Sequence, residues 1–125
     1  MIAADTSSLI AYLSGDRGTD VEGLETALSE SQLCLPPVVL TELLSDPKLP
    51  GAVARALDQI PVLEILDGYW QRAGHLRSRV LALRRKARLA DTLIAQSCLD
   101  HGVPLLARDA DYRNLARVSN LTLLG

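Results

Sequence analysis

Four carboxylates in this 125-residue chain each stand beside an apolar segment: Asp5, Glu42, Asp91 and Asp109. A carboxylate at the edge of a hydrophobic core costs free energy unless another group pairs with it. If the fold brings the four together, their mutual repulsion requires a cation, and oxygen-only ligands favour magnesium or manganese over zinc. Spacing alone also allows four independent helix caps and surface acids.

Short apolar segments alternate with helical patterns along the whole chain. Helices are expected between the strands, among them 21–30, 50–59, 68–86, 90–101 and a short one at 109–115. Buried strands are expected at 2–5, 33–35, 62–66, 105–107 and 121–124. This alternation predicts one α/β domain over residues 1–125, with a central parallel sheet of about five strands and helices on both faces.

The predicted topology gives the acids a common location. In open α/β sheets, ligands bind beyond the carboxyl ends of the strands, where the strand order reverses. Asp5 and Asp109 follow strands directly and occupy that edge. Glu42 and Asp91 are placed near the starts of helices, from which they can lean over the same edge.

The charge is distributed unevenly, although the net charge is only −2. Residues 68–90 contain none of the 15 acidic residues but seven of the 13 basic ones: Arg72, Arg77, Arg79, Arg84, Arg85, Lys86 and Arg88. This pattern indicates one local surface for phosphates or for an acidic partner. The alternative is a solvated outer helix face.

Three further features bear on the cellular compartment. No apolar segment approaches the roughly 20 residues needed to cross a membrane. The chain begins Met1-Ile2-Ala3-Ala4-Asp5, which leaves no room for a signal peptide, so a cytoplasmic protein is expected. Cys34 and Cys98 lie in apolar segments and are expected to be buried thiols, although a bridge between them stays open.

Four segments of the chain resemble the four motifs of PIN-domain nucleases, in the family's order and over the whole chain: Asp5–Ile10, Leu40–Leu43, Leu89–Ala95 and Leu105–Tyr112. The chain is most similar to the small VapC-type toxins of prokaryotic toxin–antitoxin operons. The resemblance implies a magnesium-dependent endoribonuclease, with manganese as a substitute. It also implies a homodimer and a cognate antitoxin whose tail covers the acidic pocket.

The resemblance assigns roles to the acids. Asp5 and Asp91 are the implied principal magnesium ligands, and Glu42 and Asp109 complete the pocket. One or two cations held by carboxylates can activate a water, neutralise the scissile phosphate and stabilise the leaving oxygen. No His or Cys nucleophile is required, and neither His75 nor His101 is expected to take part.

Three positions near the motifs leave alternatives. The Thr6 hydroxyl is expected either to bond Asp5, Asp109 or a metal-bound water, or to cap a helix. Ala107 stands where relatives usually have Thr or Ser, so one local hydroxyl is missing. Asp111 makes the fourth acid ambiguous; Asp109 is favoured, because Asp111 can equally belong to the first turn of the next helix.

Basic residues near the acids are candidate RNA contacts. Arg77, Arg84, Arg85 and Arg88 lie on or beside the helix that leads to Asp91, and are predicted to follow RNA phosphates. Arg108 is either a further phosphate contact or a solvated charge.

The sequence also has to be compared with competing functions. A phosphate-transfer enzyme of the haloacid-dehalogenase type needs a second Asp two residues after the first, and Ser7 stands there. The stronger alternative is a catalytically inactive PIN fold that binds RNA or protein. The four intact acids argue against it, and metal-dependent RNA cleavage by the purified protein would separate the two.

Overall fold

The computed structural model describes residues 1–124, which form short strands connected by helices. In chain order the elements are β1 (Ile2–Ala4), α1 (Thr6–Leu13), α2 (Thr19–Ser29), β2 (Leu33–Cys34), α3 (Pro37–Leu44), α4 (Gly51–Leu57), α5 (Tyr69–Ala82), α6 (Leu89–His101), β3 (Leu105–Leu106), α7 (Tyr112–Arg117) and β4 (Leu123–Leu124).

The strands form one parallel sheet in the order β2-β1-β3-β4. The chain moves from β1 to β2 in one direction and from β2 to β3 in the other, so the strand order reverses between β1 and β3. Since crossovers between parallel strands are right-handed, this reversal places α1 and α2 on one face and the later helices on the other. The predicted α/β architecture with helices on both faces is confirmed.

The sheet within residues 1–124 has four strands, not the expected five. The segment 62–66 makes only a single parallel bridge, between Val62 and Leu35. Pro61 and Leu63 bond to the backbone of Leu35 there, at 2.9 Å each, and the ladder then stops. Its apolar pattern was misleading because Ile65 and Leu66 are exposed at the edge and not buried in the sheet.

Two helix boundaries near the acids differ from the predicted ones. Helix α5 ends at Ala82 and not at Lys86, because Arg84 adopts a left-handed conformation with φ of 56°. The Arg84 and Arg85 amides then bond back to Leu81 and Val80, as in a Schellman helix end. Helix α7 begins at Tyr112 and not at Asp109. Both shifts move charged residues from helices into loops.

The core lies on both sides of β1 and β3. Ala3, Ala4 and Leu105 are completely buried, as strands covered on both faces must be. Cys34 and Cys98 are buried free thiols, as expected. No helix among the described residues is both long and apolar enough to span a membrane.

Candidate active site

The reversal of strand order places two sequence motifs side by side. Ala4 of β1 is paired with Leu106 of β3, and the amide of Asp5 donates to the Leu106 carbonyl at 3.0 Å. Both strands end here, so Asp5 and the loop that contains Asp109 leave the sheet at the same edge. This is the location that the topology predicts for a ligand.

Asp5 is the N-cap of α1. Its side chain is buried, Oδ1 accepts a 2.9 Å bond from the Ser8 amide, and Oδ2 accepts a 2.7 Å bond from the Ser7 hydroxyl. Burial raises the pKa of the Asp5 carboxyl, and the hydrogen bonds from Ser7 and Ser8 offset part of that effect. The cap expected from Thr6-Ser7-Ser8 is therefore made by Asp5 itself.

Asp91 lies in the first turn of α6 and carries an unsatisfied atom. Its Oδ2 is buried and has no hydrogen-bond partner among residues 1–124. Burial raises the pKa of the Asp91 carboxyl, and the charges of Asp109 and Asp5 raise it further. These mutual effects show that the three acids share one region. Each buried polar atom without a partner costs free energy, so this oxygen is a candidate position for a ligand.

Tyr112 faces the same acids from α7. Its hydroxyl lies close enough to Asp91 to lower the pKa of that carboxyl. Burial, together with the charges of Asp5 and Asp91, raises the pKa of the Tyr112 hydroxyl, which therefore stays protonated. Tyr112 entered the sequence interpretation only as the last residue of the fourth motif, because its position beside Asp91 depends on how α7 packs against α6.

Asp109 and Asp111, the two acids after β3, differ in their bonding partners. Oδ1 of Asp109 accepts a 2.8 Å bond from the Asp111 amide, which delays the start of α7. The Asp111 carboxylate lies 3.5 Å from the Lys86 ammonium. The charge of Asp109 raises the pKa of Asp91, so Asp109 lies near that acid. The choice of Asp109 as the fourth acid stays a prediction.

Glu42 is tied to the same edge through Thr6. The Thr6 hydroxyl donates a 2.6 Å hydrogen bond to Glu42 Oε1 and neither caps α1 nor bonds Asp5 or Asp109. Glu42 is exposed and lies in the second half of α3, so the expectation that it lies near the start of a helix was wrong. Its bond to the residue after Asp5 nevertheless brings α3 to the pocket.

The arrangement can be compared with the needs of a divalent cation. Among residues 1–124, no three His, Cys, Asp or Glu side chains are placed to hold a metal ion together. Asp5, Glu42 and Asp109 each accept a hydrogen bond from a protein group in this arrangement. The donor set nevertheless fits Mg²⁺ or Mn²⁺, because it consists of carboxylate oxygens and includes the unpartnered Oδ2 of Asp91.

In the basic segment, residues 68–90, some side chains bond to other protein groups and others are exposed on a loop. Arg72 bonds Asp100 on α6, and Arg77 donates to the Ala87 carbonyl at 2.9 Å. Arg84, Arg85 and Arg88 are exposed on the loop between α5 and α6. The charge of Arg88 lowers the pKa of Asp91, which places that side chain at the pocket's border. The expected basic surface is thus a loop beside the acids.

Arg108 has an internal partner. Its guanidinium bonds both carboxylate oxygens of Asp20, at 2.9 and 3.0 Å, and also the Arg17 carbonyl at 2.8 Å. Arg108 is therefore not merely a solvated charge, whereas its contact with RNA phosphate stays a prediction. The pairing with Asp20 could not be predicted from the sequence, because the two residues lie 88 positions apart.

Comparison with known proteins identifies the fold. The model of the family described as PIN domain matches residues 2–118. Ribonuclease VapC11 of Mycobacterium tuberculosis is 27% identical over 128 residues, with 97% of this chain and 96% of the relative covered. The VapC ribonuclease Mb1587 of Mycobacterium bovis matches to the same extent.

Solved structures agree with this match at the level of the fold. VapBC2 from Rickettsia felis, bound to a DNA fragment from its promoter, superposes with a TM-score of 0.77 at 18% identity, covering 99% of this chain and 98% of that one. VapBC-5 from Mycobacterium tuberculosis, a member of the VapBC family of toxin–antitoxin systems, gives 0.71 at 18% identity, with 98% and 96% covered.

Proposed function

The chain belongs to the PIN domain family, and from this premise we propose that it is a magnesium-dependent endoribonuclease that acts as a toxin and is neutralised by a cognate antitoxin. Manganese is expected to substitute for magnesium. The observation that carries the proposal is the buried, unpartnered Oδ2 of Asp91 beside Asp5 and Asp109. The relatives named as VapC ribonucleases support the choice of RNA as substrate.

Asp5 and Asp91 would hold the cation, with Glu42 and Asp109 completing the set. When bound, the cation would supply water activation and neutralisation of phosphate charge. The chain's own groups orient the acids: Ser7 and Ser8 fix Asp5, Thr6 fixes Glu42, and the Tyr112 hydroxyl lies beside Asp91. Because these donors are in place before substrate arrives, the carboxylates need little reorganisation.

The basic loop gives RNA a path to these acids. Arg84, Arg85 and Arg88 are exposed on the loop before α6, and Arg88 borders Asp91. Phosphate groups bound by this loop would place the following phosphodiester over the carboxylates. Contacts of this kind supply affinity but little sequence information.

Cleavage of a labelled RNA by the purified wild-type protein tests the activity. We expect products with Mg²⁺ or Mn²⁺ and none with a chelator. Binding of RNA without cleavage under any of these metals would favour the alternative, an inactive PIN-fold binding module. Expression of the wild-type chain alone is expected to arrest growth.

An apolar groove is our proposed docking site for the antitoxin. It has a volume of about 610 Å³ and lies between α1, α2 and α4, lined among others by Leu9, Tyr12, Leu13, Leu28, Val53 and Leu57. Helix α1 runs from the acids to this groove, so a partner seated there needs to extend only about 12 Å to cover the pocket. Solved neighbours described as toxin–antitoxin systems support this choice of occupant.

Leu13 allows the groove to be tested without disturbing the core, because its side chain is 45% exposed. We expect Leu13→Arg to retain RNA cleavage but to escape neutralisation when the protein of the neighbouring gene is co-expressed. Neutralisation equal to that of the wild type would contradict docking in this groove.

Sedimentation of the toxin alone is expected to give the mass of a homodimer.

A further inference from the structure

Asp20 is a buried charge that the proposed reaction does not use. It is the second residue of α2, outside the four motifs, and its side chain is only 6% exposed. Arg108 binds it through two atoms, and the Ser8 hydroxyl donates a third hydrogen bond at 2.9 Å. Burial of an ion pair is tolerated when such additional bonds satisfy its oxygens. Both carboxylate oxygens of Asp20 therefore have hydrogen-bond partners.

Ser8 connects the pair to Asp5. This residue is completely buried, its amide donates to Asp5 Oδ1 at 2.9 Å, and its hydroxyl donates to Asp20 Oδ2. A shift of Asp20 would therefore move the residue that fixes the Asp5 carboxylate.

Arg108 connects the pair to the end of β3. It directly precedes Asp109, and the loop before α2 wraps its guanidinium through the Arg17 carbonyl. Gly18 in that loop has φ of 150°, and a Cβ there would lie 2.6 Å from Asp20 Oδ1 and 2.8 Å from Arg108 Nη2. The loop thus has room for the pair only while residue 18 lacks a side chain.

We propose that Asp20 and Arg108 are positioning residues, which fix the Asp5 and Asp109 carboxylates relative to each other through Ser8 and through the backbone of the 108–109 loop. Neither contacts the reacting atoms. The consequence for activity rests on the proposed function, whereas the placement of the carboxylates is measurable in metal-free protein.

The chain contains a matched control pair. Arg72 and Asp100 also form a two-bond ion pair, at 2.8 and 2.7 Å. Their side chains are 42% and 6% exposed, against 37% and 6% for Arg108 and Asp20. This pair joins α5 to the last turns of α6, far along the helix from Asp91. Arg72→Gln and Arg108→Gln therefore remove equivalent interactions at different places.

Amide hydrogen exchange in metal-free protein tests the placement directly. The Ser8 amide bonds Asp5 Oδ1, and the Asp111 amide bonds Asp109 Oδ1. In Arg108→Gln, we expect both amides to exchange about tenfold faster relative to the amides of α6, the effect of losing charge-assisted hydrogen bonds. Equal changes in Arg108→Gln and Arg72→Gln would overturn the proposal.

Titration with Mn²⁺ and steady-state kinetics test the consequence. We expect Arg108→Gln to weaken Mn²⁺ binding or lower kcat by about ten- to a hundredfold, as loss of an outer partner does, while KM for RNA stays within about twofold. A raised KM with unchanged kcat and Mn²⁺ affinity would instead make Arg108 a phosphate contact and refute positioning.

Gly18→Ala serves as the second variant if Arg108→Gln does not fold. It keeps both charges but displaces them, and the same two amides should exchange faster. Unchanged exchange at Ser8 and Asp111 in a folded Gly18→Ala protein would also count against the proposal. If the wild type cleaves no RNA, the proposed function fails, while the exchange data still decide the positioning role.

Discussion

Asp5 combines two roles that its sequence context offered as alternatives: it caps a helix, and it belongs to the group of acids around Asp91. It caps α1 through the Ser8 amide, and its charge also raises the pKa of Asp91. A capping oxygen retains a second lone pair, so a cap and a cation ligand are compatible roles. Asp109 combines an Asx turn with its approach to Asp91 in the same way.

Neutralising Asp5 should separate stability from activity. The pKa of Asp5 is raised by burial, so the folded protein gains stability as the pH falls through that raised value. Asp5→Asn retains an oxygen for the Ser8 amide and removes the buried charge. In thermal melts at pH 8 with chelator, we expect it to melt at or above the wild type, with about 1 kcal/mol corresponding to roughly 4 °C.

The wild type provides the comparison for these melts. Mg²⁺ or Mn²⁺, which bind only the folded form, should raise its melting temperature and should affect Asp5→Asn less. A wild type indifferent to both ions, together with an Asp5→Asn variant that melts clearly lower, would mean that Asp5 is only a structural cap.

The sequence predicted that Asp5, Asp91 and Asp109 share one location, and the structure places them in one region. Their roles as ligands stay a prediction. The ion pair between Arg108 and Asp20 was not predicted, because nothing near Arg108 in the sequence indicates it. Such ion pairs depend on which helices the fold brings together, which periodicity does not reveal.

At the scale of elements, the loop between α5 and α6 carries the free cations of the basic segment. We expect reversal of Arg84, Arg85 and Arg88 to Glu to weaken RNA binding in chelator. The dependence of log K on log[salt] should flatten by up to about 2, because each phosphate contact on single-stranded RNA contributes about 0.7. Filter binding at several salt concentrations measures both quantities.

A control with the same change in net charge isolates the loop. Lys48, Arg55 and Arg79 are exposed elsewhere on the molecule, and their reversal to Glu should alter the salt slope much less. Equal effects of the two triple variants would mean that RNA responds to net charge and not to this loop.

The pair between α5 and α6 gives the fold a defined acid sensitivity. The Arg72 guanidinium lowers the pKa of Asp100 below its ordinary value. The stabilisation is therefore present at neutral pH and is lost as the pH falls through the lowered pKa. We expect Asp100→Asn to lower the free energy of unfolding modestly at pH 7, because the pair is partly exposed, and to lower it less at pH 3.

Urea unfolding at the two pH values measures this difference. Asp67→Asn is the matched control, because Arg72 contacts only the backbone carbonyl of Asp67. A cost for Asp100→Asn that stays the same at both pH values would contradict the account.

At the scale of the whole molecule, the alternation of apolar strands and helices was enough to predict a parallel sheet with the acids at its carboxyl edge. The number of strands was not predictable, because Val62 and its neighbours have the composition of a strand but bridge only Leu35. Whether an apolar segment extends a sheet depends on the length of the edge available to it. The predicted location of the acids does not depend on the number of strands, because β1 and β3 alone bring Asp5 and Asp109 together.

The most direct test of the account is RNA cleavage by Asp91→Asn, compared with Asp111→Asn prepared in parallel. The first change alters the acid whose Oδ2 lacks a partner, and the second alters a nearby acid paired with Lys86. With Mg²⁺, we predict that Asp91→Asn loses at least about a hundredfold in activity, whereas Asp111→Asn stays close to the wild type. Equal cleavage by Asp91→Asn and the wild type would contradict the assignment of this site.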